Sequence, residues 1–75
     1  MAVEQWRVVS YDTGYKHIYS KEAPARRKYG EFVKWILADE EGKARLFYRS
    51  NIDKNWIAIE EFIFSDEEEE EEEED

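Results

Sequence analysis

Cysteine is absent from this 75-residue chain, so no disulfide or thiolate metal site supports it and nothing points to an oxidising compartment. With His17 the only histidine, the usual nucleophile–base pairs cannot be assembled, and Ser10, Ser20, Ser50 and Ser65 stand in no recognisable signature. Proline occurs once, as Pro24, and glycine three times. No apolar run exceeds the length of Trp35 to Ala38, far short of a membrane span. The N-terminus has neither a basic n-region nor an apolar h-region, so a signal peptide is not expected. Phosphate-binding loops, dinucleotide fingerprints and zinc spacings are missing too. These absences predict a cytoplasmic non-enzyme with no catalytic residue, cofactor, bound metal or small-molecule substrate.

Two features fill the space. Aromatic residues make up 16% of the chain, and each large ring can bury roughly 150–250 Å². They are the expected source of stability in a domain near the lower size limit for a single core. The second feature is a run of ten carboxylates at positions 66–75: Asp66, Glu67, Glu68, Glu69, Glu70, Glu71, Glu72, Glu73, Glu74 and Asp75. All 11 Lys and Arg lie in residues 1–65, where they meet the other ten of the 20 acidic residues. The body therefore carries +1 and the run −10, which together give the chain's −9. Two regions are predicted: a small β domain over 1–65 and a disordered polyacidic tail over 66–75. Abundant Glu, Lys, Arg, Ile, Val and Tyr, with few thermolabile residues, suit work at high temperature.

The body reads as strands. Residues 4–11 are β-branched and aromatic, and end at the turn signal Asp12, Thr13, Gly14. Residues 15–19 suit a short returning strand, and 20–28, holding Pro24, a polar loop. Residues 29–39 alternate, with Val33, Trp35 and Leu37 on one face and Phe32, Lys34 and Ile36 on the other. Further strands are expected over 43–50 and 56–64, joined by a turn at 51–54. The spacing predicts an all-β fold, an antiparallel meander or small barrel of about five strands. A rival helix over 22–37 is favoured by Ala, Arg, Lys and Glu, but Gly30 and the β-rich 32–37 segment count against it. A short helix within 22–28 remains compatible with the pattern.

Side chains that recognise partners stand out more clearly than any for catalysis. Lys21, Arg26, Arg27 and Lys28 form a basic stretch around Pro24 that can grip phosphate or an acidic patch, or be a loop that is solvated or lightly paired with the chain's own tail. In the 43–50 strand, Lys43, Arg45, Phe47 and Arg49 share one face. A ring between arginines can stack a base or anchor a protein interface; it can also be plain structure. Tyr15 and Tyr19 join Arg45, Phe47, Arg49, Arg26 and Arg27 as partner-binding candidates. His17 reads as a packed or surface residue, the pair Glu40/Glu41 as decoration of a hairpin, and Glu60/Glu61 as lying where the strand pattern shifts face.

The tail has a sharper chemical meaning. Its charges recur every ~3.3–3.6 Å along an extended chain, close to the ~3.4 Å spacing of phosphates along one duplex strand. It imitates the linear charge of nucleic acid and is expected to compete for basic grooves, helped by tethering at about millimolar effective concentration; a solubilising appendage and weak divalent-cation binding are the alternatives.

A cysteine-free, aromatic-rich body of this size ending in Asp66 to Asp75 resembles the small acidic-tailed subunits that bind the crenarchaeal family B replicative DNA polymerase B1 (the polymerase-B1-binding protein 1 family). The resemblance implies a non-catalytic subunit of a DNA polymerase holoenzyme whose tail restrains strand-displacement synthesis. Only the tail positions carry over from it. Without the resemblance, a single-stranded nucleic-acid-binding barrel autoinhibited by its own tail stays open. So does a subunit of another nucleic-acid machine.

Overall fold

The structure is a computed structural model that describes residues 2–65. The order of elements is β1 (Gln5–Ser10), β2 (Tyr15–Tyr19), α1 (Glu22–Asp39), β3 (Gly42–Arg49) and β4 (Ile57–Phe64). The four strands form one antiparallel sheet in the order β2-β1-β3-β4, and α1 packs chiefly across the two central strands. The all-β, five-stranded meander or barrel is thus corrected to an α/β arrangement: a four-stranded antiparallel sheet against one 18-residue helix. The expected disorder of 66–75 falls outside the described residues.

The correction turns on residues 29–39, which form the second half of α1 instead of a strand. Short apolar runs such as 32–37 satisfy both periods, so alternation alone cannot decide them. Tertiary packing decides here, because Ala25, Phe32 and Ile36 recur at helical spacing and are all buried, with Tyr29 packed beside them. Pro24 does not mark a loop. It lies in the first turn, where its missing N–H would have had no intrahelical partner. Gly30 sits mid-helix with open space around its Cα, a local cost of about 1 kcal/mol relative to Ala that the packed face outweighs. Lys21, at the N-cap, offers no side-chain cap, whereas Glu22 lies in the first turn and bonds Arg26 one turn on.

The helix ends at Glu40, which adopts the left-handed conformation (φ 61°) and donates its N–H to the Ile36 carbonyl at 2.8 Å. Two residues later Gly42 (φ 140°) opens β3 so close to α1 that a Cβ there would meet the Asp12 side chain and lie 2.8 Å from Ile36 Cγ1. Glycine is required at this joint, both by φ and by space.

Strand alternation makes the two faces unlike. In β1, Trp6, Val8 and Ser10 point to the helix and are buried; in β3, Ala44 and Leu46 do the same. Trp6, Val8, Ala25, Phe32, Ile36, Ala44 and Leu46 form the core, with Tyr15, Tyr19, Tyr29, Tyr48, Phe62 and Phe64 packed at its border. Full burial of a side chain such as Leu46 contributes roughly 1.5–3 kcal/mol. The opposite face has no layer over it among the described residues.

Candidate functional site: the open face of the sheet

Cross-strand register assigns the uncovered face. Gln5, Arg7 and Val9 of β1 stand beside Arg49, Phe47 and Arg45 of β3; Lys16 and Ile18 of β2 flank Val9 and Arg7. On the other side, Ile63, Glu61 and Ala58 of β4 stand beside Lys43, Arg45 and Phe47, with a bulge between Leu46 and Phe47 shifting the register. The strand positions of this face hold five cations, Arg7, Lys16, Lys43, Arg45 and Arg49, against the single carboxylate of Glu61. For a body of net charge +1, that is a concentration of positive charge on one surface.

Aromatic rings order these cations. The Arg7 guanidinium lies between two rings, 4.8 Å from the centroid of Phe47 and 4.7 Å from that of Trp56. Arg49 stacks on Trp56 at 4.3 Å and donates two hydrogen bonds to Gln5 Oε1, at 2.8 and 2.6 Å. The result is a ladder of alternating planar groups, Phe47, Arg7, Trp56 and Arg49, held by cation–π attraction. Arg7 Nε is buried and has no hydrogen-bond partner among the described residues. At the other end, Tyr11 carries Lys43 at 4.8 Å and Arg45 at 5.6 Å over its ring. Arg45 is clamped by Glu61 at 2.6 Å and also bonds the Tyr11 hydroxyl at 3.3 Å. The hydrogen bond to Glu61 raises the Arg45 pKa above its ordinary value.

The candidates from sequence separate into two groups. Arg45, Phe47 and Arg49 share the open face, as alternation indicated, but Phe47 is covered by Arg7 and is half-buried, not a free stacking platform. Tyr15 and Tyr19 belong to the helix side of β2, their hydroxyls 2.7 Å apart, with the His17 ring 4.7 Å from that of Tyr19. Burial and the hydrogen bond with Tyr15 push Tyr19 up to about 12. Arg26 and Arg27 are on α1, not in a loop. Arg26 is tied to Glu22 at 2.6 Å and Glu60 at 3.2 Å, and Lys28 to Glu31 at 3.0 Å, so much of that basic stretch is internally compensated. Glu60 is therefore a bridge from sheet to helix.

Arg7, Tyr11, Trp56 and Lys16 complete the face and were not singled out from sequence. Alternation in β1 puts Arg7 opposite the buried Trp6 and Val8, a usable signal. Trp56 precedes β4, and its position over β1 depends on long-range pairing that no local pattern carries. At the end of the sheet where Gly42 opens β3, Asp12, Asp39 and Glu41 line an open depression. Among the described residues no three His, Asp or Glu side chains are arranged to hold a metal ion, and no helix is long and apolar enough to cross a membrane.

Comparison with family models, with curated proteins and with solved structures finds no match to this chain.

Proposed function

We propose that this chain is a cytoplasmic, non-catalytic accessory subunit of a family B replicative DNA polymerase. It lodges through the open face of its sheet, while residues 66–75 compete with nucleic acid for basic surfaces nearby. The observation that carries the reading is the joining of an uncovered, arginine- and aromatic-rich sheet face to ten consecutive carboxylates. Arg and large aromatic rings are the side chains that anchor protein interfaces, and ring-stacked guanidiniums lose little entropy on docking. The choice of a polymerase as partner rests on the resemblance described above.

A polyanion tethered beside a polymerase's basic channel weakens forward invasion of duplex more than it weakens the firmly held primer end. Restraint of strand displacement is its expected effect. The test is primer extension into a duplex, with the polymerase and either the intact chain or one whose ten tail carboxylates are replaced by serine. Equal polymerase affinity with greater strand displacement for the serine-tailed chain supports the reading. Identical displacement at low salt refutes it.

A second reading is favoured by one observation, the half-buried Arg7 guanidinium stacked between Phe47 and Trp56 with no ion pair among the described residues. Such a group can pair a phosphate of a single strand. Here the sheet itself binds single strands and the tail inhibits it. The serine-tailed chain then gains single-strand affinity sharply, with a steep salt dependence, and recovers no polymerase from an extract.

A further inference from the structure

We infer that in the free protein residues 66–75 dock on the protein's own open sheet face, along the line from Lys43 and Arg45 to Arg7 and Arg49. A partner that takes this face then expels the tail. The inference goes beyond the accessory-subunit reading and survives its failure, since it concerns the chain alone.

Chain connectivity starts the argument. The last residue of β4, Phe64, pairs with Gly42, so the tail departs one residue from Lys43, at the end of the sheet where Tyr11 holds Lys43 and Arg45. From Lys43 to Arg49, β3 extends about 20 Å at ~3.3 Å per residue. Ten residues reach at most roughly 33–36 Å, enough to run the length of the face.

Charge then selects the side. Over the helix end of the same edge lie Asp12, Asp39 and Glu41, with no basic residue in the last turn of α1. These carboxylates and the negative end of the helix dipole repel a polyanion leaving Ser65. On the open side it meets five cations and one carboxylate. Among the described residues the far end of α1 leaves only Lys21 and Arg27 without a carboxylate, since Arg26 and Lys28 hold Glu22, Glu60 and Glu31, whereas the open face leaves Arg7, Lys16, Lys43 and Arg49 after Glu61 takes Arg45.

Vacant bonding capacity completes the match. Among the described residues Arg7 forms no ion pair, and its buried Nε has no acceptor. A glutamate carboxylate can pair the accessible part of this half-buried guanidinium in a charge-assisted bond. Attachment raises the local tail concentration to around millimolar, so many weak pairs suffice. Because the pairs lie at the surface, the docked state fades with salt as the Debye length falls from about 10 Å at 0.1 M to 3 Å at 1 M. A partner docked on the face thus delivers the polyanion free into the assembly, and only there.

The chain has no cysteine, so Asp75→Cys accepts one nitroxide label in the full-length protein. Paramagnetic broadening of backbone amides is read at low and at high salt, with labelled chain diluted into unlabelled chain to remove contacts between molecules. Broadening concentrated on β1 and β3 amides around Arg7, Lys43 and Arg45, lost at high salt and reduced by Lys43→Glu, is the expected result. Broadening spread evenly, centred on α1, unchanged by salt, or absent once intermolecular contacts are diluted out overturns the inference. Neither outcome depends on a polymerase.

Discussion

The sheet has two faces built from neighbouring residues of the same strands, and they use aromatic rings for opposite purposes. Toward α1, Trp6 and Phe32 are buried against aliphatic neighbours, and rings meet rings: Trp6 with Tyr48 at 5.3 Å, Phe32 with Tyr15 at 4.9 Å. On the open face, rings meet cations instead, Phe47 and Trp56 around Arg7 and Tyr11 beneath Lys43 and Arg45. The first arrangement removes surface from water and makes the fold. The second keeps charge at the surface but fixes its geometry, as a recognition surface needs.

The widest separation between the faces is expected between Leu46 of β3 and Lys16 of β2. Leu46→Ala empties a fully buried position and should cost roughly 2–5 kcal/mol, enough to unfold so small a domain. Lys16→Gln, exposed on the open face, should stay within about 0.5 kcal/mol in denaturant titration yet weaken partner binding. If both variants unfold alike, the faces are not divided as described. Next in size is Gly42→Ala, expected to cost about 1–3 kcal/mol, because the added Cβ collides with Asp12 and Ile36 where the helix joins the sheet.

Smaller effects sharpen the contrast. Gly30→Ala has room for its methyl group and should raise stability by roughly 0.5–1 kcal/mol in thermal unfolding, leaving partner affinity unchanged. Last comes an alkaline dependence confined to the helix side. Tyr19 is raised in the fold from 10.0 to about 12, so the folded protein holds its proton where the unfolded chain has lost it. Its contribution is fully present below about pH 10 and is lost as pH rises toward 12. Tyr19→Phe should flatten the fall of stability over that window, and an unaltered slope would show that the hydroxyl pair contributes nothing.

Sequence reading placed four strands within a residue or so of their observed extents, because each combines period-2 alternation with a clear turn. It ranks the helix over 22–37 second to a strand for an identifiable reason. Residues 32–37 are apolar on both faces of a strand, and Gly30 and Pro24 look like breakers when viewed locally. The deciding fact, that Ala25, Phe32 and Ile36 meet Val8 and Leu46 in one core, is tertiary. The same limit governs the site. Arg45, Phe47 and Arg49 were legible from one strand's alternation. Arg7 and Trp56 enter only once β1 lies beside β3, and Tyr15 and Tyr19 leave the site once β2 shows which way it faces.

The most direct test of the central claim, that the helix-free side of the sheet is the docking side, is a footprint on the intact complex. Isotope-labelled chain is bound to the family B polymerase, and intermolecular saturation transfer is read residue by residue. Transfer to Lys16, Ile18, Arg45, Trp56 and Ile63, with Trp35 and Leu37 on the outer side of α1 untouched, is the expected pattern. Transfer confined to Trp35 and Leu37 would contradict it.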